Sequence, residues 1–398
     1  MVKNASAPSN ETLLEHLGRN VPVRGGRAVN PPIQRASTIL FDSVDELMAA
    51  ASERGADDFV RYGRNGTVTQ ISLEKAVATL EGGATAVAVP SGLAAVSLAL
   101  LTVVQAGDHV LMADNVYGPA RGFARDFLGR FGVETTFFDP LAGAEVAGLF
   151  RDNTRCIYLE SPGSLTFEVT DVPAVAAAAH AAGVKVVIDN TWATPLFFRS
   201  FEHGADLVVH AGTKYLAGHS DVMIGLVVAT EDLADAVRRQ SNQVGYSCGP
   251  DEAFLTLRGL RTLAVRLQRH QATGVALAEW LQGRGEVARV LHPALPGDPG
   301  HGLWRRDFLG ASGLFGVELK PCSQKAVAAL LDGLELFGMG YSWGGFESLA
   351  IPAFPGKMRS ATAWAGEGPL LRLHAGLEDP ADLIADLDAG FERLRTAA

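Results

Sequence analysis

Cysteine is scarce in this chain: three residues in 398, Cys156, Cys248 and Cys322. An odd number spaced this widely excludes a disulfide framework and a paired-cysteine zinc site, and it fits a reducing, cytoplasmic compartment. Basic residues are also in deficit. Against 44 aspartates and glutamates stand 34 lysines and arginines, a formal charge of −10. Such a field repels phosphate backbones and anionic lipid, so neither nucleic acid nor a membrane surface is an expected partner. Long apolar runs are missing too. The most apolar stretch, residues 84–104, is broken by Pro90, Ser91 and Gly92, leaving pieces shorter than the roughly 20 residues of a spanning helix. Residues 1–15 carry Lys3 and Glu11 among polar side chains and no apolar core, so no secretion leader is expected. Internal repeats and low-complexity tracts are absent. No Gly-Lys-Ser/Thr occurs, and no Gly-x-Gly-x-x-Gly follows the first strand-like run, so nucleotide sites lack their fingerprints.

What remains is ample for a folded protein. With 47% hydrophobic and 20% charged residues, disorder over most of the chain is excluded, and at roughly 150 residues per domain the length predicts two or three domains. Short β-branched runs at 85–89, 109–113, 135–139, 155–160, 184–189, 207–210 and 224–229 alternate with helix-forming stretches at 92–104, 118–131 and 172–182. That alternation predicts an α/β fold around a mainly parallel sheet covered on both faces. Gly132 and Gly183 stand where left-handed caps would close two of the helices. Residues 252–268 read as one long helix, with Arg258, Arg261, Arg266 and Arg269 forming a solvated face or packing stems. The rest, with a strand at 314–319 and helices at 324–331 and 380–396, reads as a smaller α+β domain. Residues 33–62 show no repeating apolar pattern and read as an arm that crosses something else.

In open parallel sheets, ligands bind beyond the carboxyl ends of the strands. Residues 85–89 lead through Pro90 and Ser91 to Gly92 and Leu93 at a helix start, where free N–H groups suit a phosphate; an ordinary strand-to-helix turn reads the same way. Residues 184–188 end in Asp189, either a capping carboxylate or an acid that keeps a ring nitrogen protonated. Residues 207–210 lead to Thr213 and Lys214, either a lysine snorkelling at a sheet edge or a desolvated Schiff-base amine. Tyr117, after 109–113, either packs on the surface or stacks on a flat ring. A phosphate cradle, an acid and an imine-forming amine are what a protein contributes to pyridoxal 5′-phosphate (PLP) chemistry, and no metal is required. Near the C-terminus Arg372 lies inside an apolar run, where a guanidinium needs an anion. That anion is a substrate carboxylate held by two parallel hydrogen bonds, or an internal acid such as Glu347 or Glu378. Tyr62 and Arg64 stand on an early loop.

These residues resemble a family. Residues 212–221, Gly-Thr-Lys-Tyr-Leu-Ala-Gly-His-Ser-Asp, resemble the lysine motif of the cystathionine-metabolising enzymes, the Cys/Met-metabolism group of fold-type I PLP-dependent proteins. Motifs at 62–64, 91–93, 117–118, 189–195 and 372–378 match in order, so the resemblance runs from residue ~30 to ~380. It implies the fold-type I transferase fold: an arm at 1–62 reaching the neighbouring subunit, a large PLP-binding domain at 63–255 and a C-terminal domain at 256–398. It further implies that Lys214 carries PLP as a Schiff base, Asp189 pairs with the pyridine nitrogen and Tyr117 stacks on the ring. Gly92, Leu93 and Thr213 would hold the phosphate, with Tyr62 and Arg64 reaching it from the neighbouring subunit of a dimer, usually doubled to a homotetramer. Lys214, Tyr62 and Tyr117 are the implied catalytic residues. Arg372 would grip the carboxylate of a sulfur amino acid beside Ser342 and Trp343.

Two segments narrow the implied reaction. Residues 340–348 resemble bacterial cystathionine β-lyases in placing Trp343 where γ-acting members have another apolar residue. Ser164 and Leu165 stand where γ-acting relatives tend to have Asn-Pro. Both imply β-elimination of L-cystathionine to homocysteine, pyruvate and ammonia. The rivals are γ-elimination or γ-replacement with the same cofactor, a specialised carbon–sulfur lyase, a catalytically silent PLP-binding protein, and a cofactor-free Schiff-base enzyme. Ala211 departs from the family's common serine three positions before the lysine, which implies one fewer hydrogen bond to the phosphate, about 1 to 3 kcal/mol.

Overall fold

Valine-rich runs that are apolar on both faces can be sequestered only inside a sheet covered from both sides. The computed structural model, which describes residues 9–19, 21–23, 26–52 and 60–397, places them there. Residues 1–8, 20, 24–25 and 53–59 of the expected arm, and with them part of the segment expected to lack a leader, lie outside the described residues. Val21–Val23 (β1) and Gly26–Ala28 (β2) make a short antiparallel ladder. Seven further strands, Thr85–Val89 (β3), His109–Ala113 (β4), Glu134–Phe138 (β5), Thr154–Glu160 (β6), Lys185–Asp189 (β7), Leu207–His210 (β8) and Gly225–Ala229 (β9), form one sheet in the order β3-β9-β8-β7-β6-β4-β5. Every residue of β3, β4, β8 and β9 is buried.

One strand runs against the expected direction. β9 is antiparallel to both β3 and β8. Parallel neighbours need a crossover, usually a helix, and residues 211–224 carry turns instead. Because β3 and β8 both oppose β9, they run the same way as β4, β6 and β7, and all five carboxyl ends share one edge of the sheet.

Three helical expectations are corrected. The single helix expected over 252–268 is two, Pro250–Leu260 and Leu263–Gln282. Arg266 explains part of the break. It is no solvated residue but is 5% exposed, and its guanidinium donates to the carbonyls of Gly259 and Tyr215 at 2.8 Å each, taking up a carbonyl at the end of the first helix. Arg258 and Arg269 are exposed as expected, and Arg261 is half-buried. The helix expected over 118–131 coils as α over Gly118–Gly122, π over Phe123–Phe127 and 3₁₀ over Leu128–Phe131. The patternless stretch before Tyr62 contains a helix, Val44–Ser52, in which Val44, Leu47 and Met48 are exposed.

Val287–Leu291 (β10), Leu314–Leu319 (β11), Leu349–Ala353 (β12) and Leu370–His374 (β13) form a second, antiparallel sheet in the order β10-β11-β13-β12. Its core joins Leu371 and Leu373 to Leu277, Leu330 and Phe391 from three helices. Alternation along β13 therefore turns Arg372 and His374 to the other face. The indole of Trp192 donates to the Leu314 carbonyl at 2.9 Å and ties the two sheets together beside the shared edge. Among the described residues no helix is long and apolar enough to cross a membrane.

Candidate active site

The ends of β6 and β7 are in register, so Glu160 stands opposite Asp189. The chain turns after Asp189, and Thr191 returns its N–H (2.9 Å) and its hydroxyl (2.5 Å) to the Asp189 Oδ1 atom. Burial raises the Asp189 pKa, while the Thr191 bonds, His210 and Lys214 pull it back. Thr191 Oγ1 also accepts from the Ala211 N–H at 2.9 Å, which couples the acid to the lysine loop. Glu160 accepts from the Tyr117 N–H at 2.7 Å. Burial first, and the adjoining Asp189 second, hold the Glu160 carboxyl well above the usual carboxylate range. Tyr117 itself is 45% exposed at this edge, and burial of its remainder together with Glu160 and Asp189 raises its phenol.

Lys214 follows β8. Burial and the Arg372 guanidinium lower its amine from 10.5 to about 8, with Asp189 opposing them. Its Nζ donates to Ser342 Oγ at 2.5 Å and lies 5.4 Å from the centre of the Trp343 ring. The structure thus brings Lys214, Asp189, Tyr117, Arg372, Ser342 and Trp343 into one electrostatic neighbourhood. Glu347 meets Ser220, and Glu378 meets Ser348. Neither acid serves Arg372, whose Nη2 donates to the Ser342 carbonyl at 2.8 Å. Among the described residues Arg372 has no carboxylate partner, and burial draws its pKa down to about 10.

The helix Gly92–Val103 begins at the same edge. Ser91 caps the Ala94 N–H, and the first amides, including those of Gly92 and Leu93, have no acceptor within the helix. Position 92 must be glycine, since a Cβ there would stand 2.6 Å from the Cβ of Ala211. The Thr213 hydroxyl is already engaged: it accepts from the Ile224 N–H at 3.0 Å and donates to the Ile224 carbonyl at 3.2 Å. Tyr62 and Arg64 are not gathered here. With Gln34, Ser37, Gln70 and Cys248 they line a cavity of about 250 Å³ whose lining includes none of Lys214, Asp189, Tyr117 or Arg372.

A stretch from the second half of the chain closes behind Tyr117. Asp114 accepts from the N–H groups of Ser360, Ala361 and Thr362 at 2.8 to 3.1 Å, and its carboxylate pairs with the buried Arg121 at 2.7 Å. Met358 covers Gly118, where a Cβ would meet its methyl carbon at 2.6 Å. Sequence reasoning missed this clamp, along with Glu160, Thr191 and His374 as members of the site. Only Thr191 left a local signal, a hydroxyl two residues beyond an acid.

The donor set fits PLP. An amine drawn down to about 8, a buried acid held by two Thr191 hydrogen bonds, a part-exposed aromatic and free helix amides above a closely packed glycine are the partners its aldehyde, ring nitrogen, ring face and phosphate require. Comparison with known proteins agrees. The cystathionine β-lyase of Escherichia coli K12 is 46% identical over 391 residues, 96% of this chain and 98% of its own. That of Salmonella typhimurium LT2 is 44% identical over 390 residues, with the same coverage. The crystal structure of cystathionine γ-synthase from Xanthomonas oryzae pv. oryzae, in complex with aminoacrylate and cysteine, has a TM-score of 0.90 at 33% identity and covers 99% of this chain and 100% of its own. The Cys/Met metabolism PLP-dependent enzyme family matches residues 11–392. That match takes in both sheets and every residue of the site, and the chain belongs to this family.

Proposed function

We propose that this chain is a cystathionine β-lyase, which cleaves the Cβ–S bond of L-cystathionine to release homocysteine and, after water is added, pyruvate and ammonia. The observation that carries the reading is the contact of Lys214 with Ser342 and Trp343, the segment that resembles the lyases. The greater identity to the lyases than to the γ-synthase supports it.

PLP, when bound, supplies an aldehyde for the substrate amine and a ring that draws electrons from the substrate Cα. Lys214 would hold that aldehyde, with the Gly92 and Leu93 amides and Thr213 at the phosphate and Tyr117 against the ring face. Thr213 must give up part of its hold on Ile224 to do so. Asp189, braced by Thr191, keeps a proton on the ring nitrogen. Arg372 binds the substrate carboxylate beside Ser342. Once the substrate amine has replaced Lys214 at the aldehyde, the freed Lys214 amine takes the proton from Cα, and the electrons of that bond form the Cα–Cβ double bond as the Cβ–S bond breaks. A proton then passes from Nζ to the departing sulfur, with Ser342 Oγ fixing where Nζ points.

The proposal extends to the assembly. Tyr62 is 45% exposed, and Leu40, Val44, Leu47 and Met48 expose apolar surface on the segment before it. Both support an arm laid on a second copy, with Tyr62 and Arg64 serving the neighbour's site in a dimer of dimers. The divisions at 62 and 255 belong to the same reading, supported by a second apolar core built from residues after 276. Three free cysteines support a cytoplasmic setting. The test is incubation of the purified holoenzyme with L-cystathionine. Pyruvate is the expected keto acid; 2-oxobutyrate would mean γ-cleavage, and cofactor absorbance without turnover would mean a silent binding protein. Lys214→Ala should abolish turnover, and a variant that still released pyruvate would end the proposal.

A further inference from the structure

His374 holds the loop that Lys214 and Arg372 both touch. It lies two residues after Arg372 on the same face of β13 and is fully buried. Its Nε2 receives the Gly344 N–H at 3.0 Å, while Arg372 donates to the Ser342 carbonyl at 2.8 Å, so two side chains of one strand grip the tripeptide 342–344 at both ends. That tripeptide needs a grip. Ser342 has φ +89° and Gly344 φ +84°, and a non-glycine residue stays in this region only when its surroundings over-determine it. The fit is also close, because a Cβ on Gly344 would stand 3.1 Å from Lys214 Cα.

The imidazole can act as acceptor because it is neutral. Burial first, then His270, drive its pKa well below 6.5 against the opposing pull of the Gly345 carbonyl, and Arg372 and Lys214 add to the lowering. The same Nε2 atom lies 3.2 Å from the Gly345 carbonyl, so the ring meets the loop at two successive residues, Gly344 and Gly345. His270, whose ring centre is 5.2 Å away, is fixed by its own bond to the Ala375 carbonyl at 2.8 Å. Tyr215 packs against Trp343 of the loop and against both histidines, His270 and His374.

We infer that His374 is a positioning residue of the reaction: through the Gly344 amide it sets the backbone of Ser342 and Trp343, and so both the direction of the Lys214 amine and the seat of the substrate carboxylate at Arg372. It touches neither substrate nor cofactor. The inference rests on the lyase reading for its kinetic readout only.

The experiment is residue-resolved hydrogen exchange at Gly344, with and without cofactor, in wild type, His374→Phe and His374→Gln, alongside kinetics on cystathionine. Phe keeps a ring and removes the acceptor; Gln returns an acceptor at a similar reach. Gly344 should exchange on the order of 10-fold or more faster in the Phe variant and regain protection in the Gln variant. Over the same pair kcat/KM should fall on the order of 10- to 100-fold, with KM rising, and then recover. Wild-type protection retained in His374→Phe, or kinetics unchanged by it, would overturn the inference. Should that variant not fold, the wild-type amide decides: exchange at the rate of an unstructured peptide refutes the contact, and protection upholds it. A protein that makes no pyruvate yet shows this exchange pattern would refute the lyase reading and leave His374's hold on the loop standing.

Discussion

Replacing Arg372 with leucine separates its functional load from its structural one. The guanidinium lies in an apolar strand, donates to one carbonyl and meets no acid among the described residues. Bound substrate would add two parallel hydrogen bonds between charged groups, each worth about 1.5 to 3 kcal/mol. The lower end gives about 3 kcal/mol, and at about 1.4 kcal/mol per decade Arg372→Leu should lower kcat/KM on the order of 100-fold. Arg372→Lys keeps the charge but not the fork and should recover about one decade. Stability should move the other way. The fold bears the cost of a buried cation, seen in its pKa of about 10, so leucine should leave Tm unchanged or higher. The assay is keto-acid release across a cystathionine series, with thermal unfolding of the same preparations. A kcat/KM within about 3-fold of wild type would place the carboxylate elsewhere, and a Tm lowered by more than about 5 °C would show that the arginine is structural.

In cofactor-free protein, amine labelling of Lys214 should have its midpoint near pH 8 instead of the ordinary 10.5. Between those values the amine is free where a solvated lysine is charged, and Arg372→Leu, which removes a cation, should move the midpoint up; peptide mapping over a pH series checks both. Thr191→Val removes a 2.5 Å bond to Asp189 and should lower kcat on the order of 10-fold or more with little change in Tm, since a bond to a charged group is worth about 1.5 to 3 kcal/mol. Unchanged kcat would mean that Asp189 is held by other means. Arg266→Met breaks the buried tie to the Gly259 and Tyr215 carbonyls and should cost about 2 to 4 kcal/mol in a reversible unfolding titration.

Much of this architecture was legible because valine-rich runs are unambiguous when both faces are buried. Each of β3 to β9 begins and ends within one residue of its expected place. The direction of β9 was not legible, because it depends on what residues 211–224 do on the way. The helix Val44–Ser52 escaped because its large apolar residues Val44, Leu47 and Met48 face outward, leaving no buried stripe to read. Arg266 escaped because residue type says nothing about burial, and the carbonyls it satisfies lie elsewhere in the chain. The same division runs through the site. Lys214 and Asp189 announce themselves by their position after strands, whereas Glu160 and His374 act on partners that only the paired strands and the folded loop bring near. Ala211 was readable as a lost hydroxyl, but its packing against position 92 was not.

The Asp114 clamp makes the far end of the chain part of the foundation under the aromatic ring. Backbone amides from 360–362 neutralise an anion rooted just before Tyr117, and Met358 roofs the glycine just after it. A truncation ahead of residue 354 would therefore remove more than a peripheral layer. It would expose an acid in the middle of the tyrosine's support, and the portion left behind would not stand as a self-sufficient vitamer-binding unit.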